Sequence, residues 1–367
     1  MKKLFVTAAM LSCLCVATAY AQTTTDSTAA GGGEPEMDFS QFAGEIEEAT
    51  GVKRYCTSKI FGISPTKLVS LGYDYQLGYD MTSNTGGGTK ESTNKVSAAH
   101  GLRFLANFPV ISHNKITVNL GATYMETNYS FEKPAELTSG LTKSLNASAL
   151  RSTGVNLTVF KPLNEKNFIL LQTSHDLNGD YRLDEWQSLS YLRHSVLGVF
   201  GWKKHDRLQF GFGAARTYRV GALNYIPVVL YNYTSENRKW GVEAVFPARA
   251  HYRRSFSPRS LLMLGYELEG HTYRLQNRDM VFNADGKMHH DLELKRSELR
   301  LRVIYERSLY DFIWLSVQAG YRYNWRNSYN IDHGDPFRSF FSNDPYVFTN
   351  SVTNPLYFNV SINLVSP

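Results

Sequence analysis

From Pro355 to Ser366 apolar and polar positions alternate almost without error. Leu356, Phe358, Val360, Ile362 and Leu364 take one side, and Tyr357, Asn359, Ser361 and Asn363 the other. Successive side chains of a strand point to opposite faces, so this segment needs an apolar medium on one side and water or polar groups on the other. A closed barrel in lipid supplies both. The clearest counterpart begins at Lys67, where Val69, Leu71, Tyr73, Tyr75, Leu77 and Tyr79 alternate with Ser70, Gly72, Asp74, Gln76 and Gly78.

Similar runs cover Val96–Phe108, Ile116–Phe131, Leu150–Phe160, Phe168–His175, Gln187–Trp202, Leu208–Arg219, Ile226–Thr234, Trp240–Tyr252, Leu261–Tyr273, Leu292–Tyr305 and Phe312–Trp325. The total is about thirteen, whereas a single-chain bacterial barrel has an even number of strands. Parity is restored if Arg54–Ile63 is an additional first strand, if Trp240–Tyr252 divides at Pro247, or if Phe168–His175 is not a full strand. Proline lacks a ladder donor, which makes Pro247 a natural break. The predicted fold class is all-β: a single closed antiparallel transmembrane β-barrel of roughly 12 to 14 strands.

Connections alternate in length. FPVISHNK, KPLNEK, KKHD and RSLYD are short; TSNTGGGTKESTNK, EKPAELTSGLTKSLNAS, LQNRDMVFNADGKMHHD and the segment from Ser328 to Asn350 are long. Short periplasmic turns and long extracellular loops give this rhythm. A soluble sandwich also shows alternating strands, but its strands usually run only roughly 5 to 6 residues. The aromatics Tyr73, Tyr79, Trp202, Trp240, Tyr321, Tyr323 and Trp325 lie near strand ends, as interfacial girdles require.

The first residues add a location. Lys2 and Lys3 precede an apolar run from Leu4 to Val16 that closes on Ala19-Tyr20-Ala21. The run is too short for a spanning helix and ends like a cleavable secretory signal. Residues 22–52 begin TTTDSTAAGGGEPE and read as a flexible periplasmic lead-in. The expected domains are therefore 1–21 signal peptide, 22–52 lead-in and 53–367 outer-membrane barrel. Cys13 and Cys15 fall in the signal and lack a lipoprotein context, so Cys56 is left without a disulfide partner or a Cys-based metal site. The net charge of +6 falls to about +4 once the two signal lysines are removed. This dispersed excess excludes a nucleic-acid partner, since no basic cluster carries stacked aromatics.

With an export signal, amphipathic strands and a closing amphipathic strand, the chain resembles a Gram-negative outer-membrane β-barrel over residues 54–367. The run IPVVLYNYTSENRKWGVEAVFPARAHYRRSFSPRSLLMLGYELEG, from Ile226 to Gly270, resembles uncharacterised outer-membrane barrels classed as a domain of unknown function. That resemblance implies fold and location and no activity. It also implies outer-membrane lipid and the barrel-assembly machinery as partners. The chain departs from the usual pattern at its end, Leu364-Val365-Ser366-Pro367, where such proteins carry a terminal aromatic.

Strand parity assembles one chemical cluster. With Leu262, Leu264, Tyr266 and Leu268 in lipid, Glu267, Glu269 and His271 face inward. By the same rule Glu298, Arg300 and Arg302 face inward, joined by Gln318, Arg322, Asn324 and Arg326, with Glu243 from a neighbouring segment. Confined charges must pair or stay hydrated. Such a network either fills and rigidifies the barrel or forms a constriction that sorts charged solutes.

Other motifs fail on inspection. Asp176–Gln187 echoes a calcium loop through Asp176, Asn178, Asp180 and Asp184, yet Tyr181 stands at the glycine position and Gln187 at the bidentate glutamate. It reads as a solvated external turn. His289-His290 beside Asp291 diverge in most loop conformations. Ser195 and Ser174 sit next to His194 and His175 in strands, so each pair faces opposite sides and cannot form a serine–histidine dyad. No Gly-rich phosphate loop precedes a helix, and no helix is evident. The expected function is a narrow or gated channel for small solutes, without catalytic residues, metal or cofactor. The alternatives are a closed barrel that presents its loops and, last, a membrane-embedded hydrolase.

Overall fold

The computed structural model describes residues 54–84, 91–182, 189–218, 221–276, 292–324, 329–332, 346 and 348–366. Its strands are β1 (Lys67–Gln76 and Tyr79–Asn84), β2 (Glu91–His113), β3 (Ile116–Phe131), β4 (Leu150–Pro162), β5 (Asn167–Gly179), β6 (Leu192–His205) and β7 (Leu208–Thr217). They continue as β8 (Asn224–Thr234), β9 (Trp240–Phe246), β10 (Arg249–Ser257), β11 (Ser260–Arg274), β12 (Glu293–Tyr310), β13 (Ile313–Tyr323 and Tyr329–Asp332) and β14 (Phe348–Val352 and Leu356–Val365). Each strand pairs antiparallel with the next, and β1 closes on β14 with Gly72 opposite Ser361 and Thr82 opposite Ser351. The result is a closed antiparallel barrel of fourteen strands. Closure removes every sheet edge, the condition for a sheet to stand in lipid.

The odd strand count resolves at Pro247. Phe246 ends β9 and Arg249 starts β10, so the long run from Trp240 is a hairpin. Phe168–His175 lies inside the full-length β5, and Arg54–Ile63 forms no strand. A further correction concerns helix. Gly140–Ala147 is an α-helix, α1, within a long loop, and its Leu141, Thr142 and Leu145 are buried. Packing of these residues stabilises a helix too short to persist alone. The expectation of a solvated external turn from Asp176 is corrected as well: Asp176 and Asn178 belong to β5 and, with Asp180, are buried. Asp184, Gln187, His289, His290, Trp325 and Arg326 lie outside the described residues, as do residues 1–53.

Outward positions around the wall are apolar and exposed: Leu71, Tyr73 and Tyr75 on β1, Leu301 and Val303 on β12, Val317 and Tyr321 on β13, and Phe358, Val360 and Ile362 on β14. Near the end that carries the short turns, rings stack along this surface. Trp202 lies 5.5 Å from Phe210, and Trp240 lies 5.3 Å from Tyr233 and 6.1 Å from Tyr252. This is the amphipathic aromatic band that a lipid–water boundary favours.

At the loop end the pattern inverts across four neighbouring strands. Gln76 and Tyr79 on β1 both point inward, as do Val96 and Ala99 on β2, Arg322 and Tyr329 on β13, and Val352 and Tyr357 on β14. The two members of each pair stand an odd number of positions apart, so the side-chain alternation shifts by one position between them. Above the slip the outward positions are Asp80, Thr82, Thr93, Lys95, Thr349 and Ser351. The inward ones are Tyr79, Met81, Val96, Phe348 and Val352, which join Tyr129, Phe131, Leu141, Leu145, Tyr273, Leu294, Tyr329 and Ile331 in a buried apolar core. On these four strands the wall is therefore apolar outside and largely polar inside below the slip, then polar outside and apolar inside at the loop end. That upper tier is built like a soluble protein.

Candidate functional site

Beneath the apolar tier lies a layer of ion pairs. Regular alternation on β12 turns Arg296, Glu298, Arg300 and Arg302 to one face, while β11 supplies Glu267 and Glu269, β13 Arg322, β1 Asp74 and Gln76, and β2 Arg103. The ladder sets like charges opposite one another: Glu269 faces Glu298, and Arg300 faces Arg322. Such pairs repel, so each requires neighbours of opposite sign.

Those neighbours are present. Glu298 receives Arg300 Nε at 2.7 Å and Arg296 Nη2 at 3.2 Å, and Arg322 also donates to it. Glu269 receives Arg300 Nη1 at 2.9 Å and Arg103 Nη2 at 3.1 Å. Arg103 Nε donates to Asp74 at 3.1 Å, whose other oxygen accepts the Asn359 amide at 2.6 Å; Gln318 in turn donates to Asn359 at 3.0 Å. Arg322 also bonds Gln76 and, at 3.3 Å, the Tyr329 hydroxyl, while Arg296 reaches Tyr129 Oη at 3.4 Å. The arginines thus tie the polar layer to the tyrosines of the tier above. Glu298, Arg296, Arg300 and Arg322 are 1–3 % exposed. Unpaired, charges this buried would be untenable; the mutual bonding is the condition for their burial.

Of the eight residues singled out by sequence, seven fall into three groups. Glu269, Glu298, Arg300 and Arg322 share the central cluster. Glu267 pairs with Arg302, whose Nε lies 3.1 Å from His251 Nε2. Glu243 belongs elsewhere: it binds Arg253 Nε at 2.8 Å and the Ser64 backbone amide at 2.9 Å. Arg326 is not among the described residues. Parity reasoning passed over Arg296, although the alternation that selected Glu298 and Arg300 selects it equally. Asp74 was visible on the polar face of β1. Arg103 carried no signal, because β2 slips by one position above it and blurs the alternation.

Elsewhere, the barrel joins residues that are remote in sequence. His175 and His194 stand opposite each other on the outer face of β5 and β6, with their Nδ1 atoms 2.6 Å apart, while Ser174 and Ser195 face inward. No serine–histidine dyad results. No cluster of three or more metal-ligating side chains occurs among the described residues.

A closed sheet with an apolar outer belt and a polar inner face defines a transmembrane β-barrel of the outer-membrane type. Residues 75–365 match a family described as a domain of unknown function, DUF6268, and the chain belongs to that family. No curated protein matches the chain. Among solved structures it is similar to the Pseudomonas putida toluene transporter TodX, at 10% identity, 85% coverage of this chain, 95% of that chain and a TM-score of 0.31. The COG4313 outer membrane channel from Pseudomonas putida F1 is similar at 12% identity, 82% and 96% coverage and a TM-score of 0.32. A Pseudomonas aeruginosa FadL homologue is similar at 8% identity, 82% and 91% coverage and a TM-score of 0.34.

Proposed function

We propose that this protein is a narrow, gated channel of the Gram-negative outer membrane for small solutes. The observation that supports it is the charged layer inside the barrel, where four guanidiniums (Arg103, Arg296, Arg300, Arg322) meet three carboxylates (Asp74, Glu269, Glu298). Confined charge of one predominant sign discriminates between solutes by charge. With the apolar tier packed above it, this layer is closed, and passage requires the two to separate. The surrounding belt takes outer-membrane lipid as its partner, and the barrel-assembly machinery inserts the strands.

A second reading, a closed barrel that presents its loops and α1 to a partner, is favoured by the near-complete burial of Glu298 and Arg322. Conductance of the purified protein in a planar bilayer separates the two. Reproducible steps whose ion selectivity changes on Arg300→Ala with Arg322→Ala support the channel. Silence from a barrel that still shifts on heating in gels leaves the closed scaffold.

A further inference from the structure

Before the first strand, residues 54–66 run along the inner wall at the turn end without joining the sheet. Their course is traced by contacts to successive strands. The Cys56 amide donates to Asn164 O at 3.0 Å, its thiol lies 3.5 Å from Asn167 O, and the residue belongs to a buried apolar cluster with Phe160, Phe168, Val199, Val228 and Leu230. Lys203, which points inward from β6 and is buried, donates to Thr57 Oγ1 at 2.8 Å and to Lys59 O at 2.9 Å. Phe61 N meets Asp206 O at 2.8 Å. Gly62 then turns the chain with φ +70, where a Cβ would sit 3.0 Å from the Thr234 side chain. Only glycine takes that conformation without strain. Ser64 ends the traverse on the inward carboxylate of Glu243, through its amide at 2.9 Å and its hydroxyl at 2.6 Å.

The mode of attachment distinguishes this segment from the wall. A strand is held by a continuous ladder, whereas here isolated backbone bonds are supplemented by two inward side chains, Lys203 and Glu243, which reach the segment while also pairing with Asp206 at 3.0 Å and Arg253 Nε at 2.8 Å. Segments held by few backbone bonds open locally without unfolding the barrel. We infer that residues 54–66 are a detachable strap that closes the lumen at the turn end, with Lys203 and Glu243 as its latches. For its consequence, control of solute passage, the inference rests on the channel reading; the seating and release of the strap do not.

The test uses access to the wall beneath the strap. In the full-length protein carrying Cys56→Ser and Val228→Cys, the new thiol is alkylated with iodoacetamide and the modification is read at that position by peptide mass. With the strap seated, alkylation is slow. Adding Lys203→Met is expected to accelerate it by on the order of tenfold, while the heat-shifted gel band stays intact. Ser64→Ala, which removes the hydroxyl bond to Glu243 and leaves the wall untouched, serves if Lys203→Met fails to fold, with acceleration again expected. Equal rates with and without the latch substitution in a folded barrel overturn the strap. Acceleration without bilayer conductance upholds the strap and counts against the channel alone.

Discussion

Gln76 and Tyr79 are three residues apart on one strand, and both point into the barrel. In a regular strand they would face opposite ways. Between them Leu77 and Gly78 take up one extra position, and the Leu77 amide still finds Leu356 O at 3.0 Å. Below this point polar residues face inward and the exterior is apolar; above it the two exchange.

That exchange predicts opposite sensitivities at adjacent positions. Met81 is wholly buried in the upper core. Met81→Ala should therefore cost about 2 to 5 kcal/mol, and Thr82→Ala, on the outer face, no more than about 0.5 kcal/mol. Urea unfolding followed by the loss of the heat-modifiable gel band measures both. Equal effects would place Met81 outside the core.

The same boundary predicts where lipid ends. Val360 and Thr349 both point outward on β14, on either side of the slip. Val360→Arg should cost about 2 to 4 kcal/mol, as for a cation at the membrane midplane, whereas Thr349→Arg should be nearly neutral. Folding into vesicles at graded urea reports the difference. A comparable cost at Thr349 would extend the lipid belt over the upper tier.

Glu298 holds three arginines at the centre of the charged layer. Glu298→Gln leaves those guanidiniums without their common counter-charge and should destabilise the barrel by about 3 to 5 kcal/mol. The exposed pair Lys133–Glu136 provides the control: Lys133→Ala should have no measurable effect. Equal stability of the two variants would mean that the layer is hydrated rather than interlocked.

Cys56 predicts a pH dependence. Burial pushes its thiol above the ordinary value, opposed in part by the Lys203 cation. Alkylation of the folded protein at pH 8 should therefore be slower than that of the urea-unfolded chain, with the gap closing as pH rises. Because the folded thiol holds its proton more tightly, its stabilising contribution is complete below the unfolded pKa and is lost as pH climbs through the folded one. Cys56→Ser should remove that alkaline loss. Identical alkylation rates for folded and unfolded protein would contradict a seated strap.

Legibility varied with the kind of signal. The apolar alternation of Val69–Leu77 and Leu356–Leu364 exposed the barrel because lipid selects one face over many residues, and a period of two survives in sequence. Glu269, Glu298, Arg300 and Arg322 could be found from it, since parity along a strand dictates which side chains share a face. Their pairing could not. Which arginine meets which carboxylate depends on the register between β11, β12 and β13, and that register is set by the entire closed ladder. Glu243 shows the limit: its partners Arg253 and Ser64 come from positions that no periodicity links to it.

The amino-acid sequence by itself determined the class of this protein, a closed membrane barrel, because lipid outside and polar groups inside impose a repeating demand on every strand. Only the tertiary structure decided that the lumen is layered, with charges below, an apolar tier above and residues 54–66 along the wall. A slip of one residue reverses every side chain beyond it while leaving composition and period unchanged, so the inversion at Leu77-Gly78 becomes visible only when neighbouring strands fix the register.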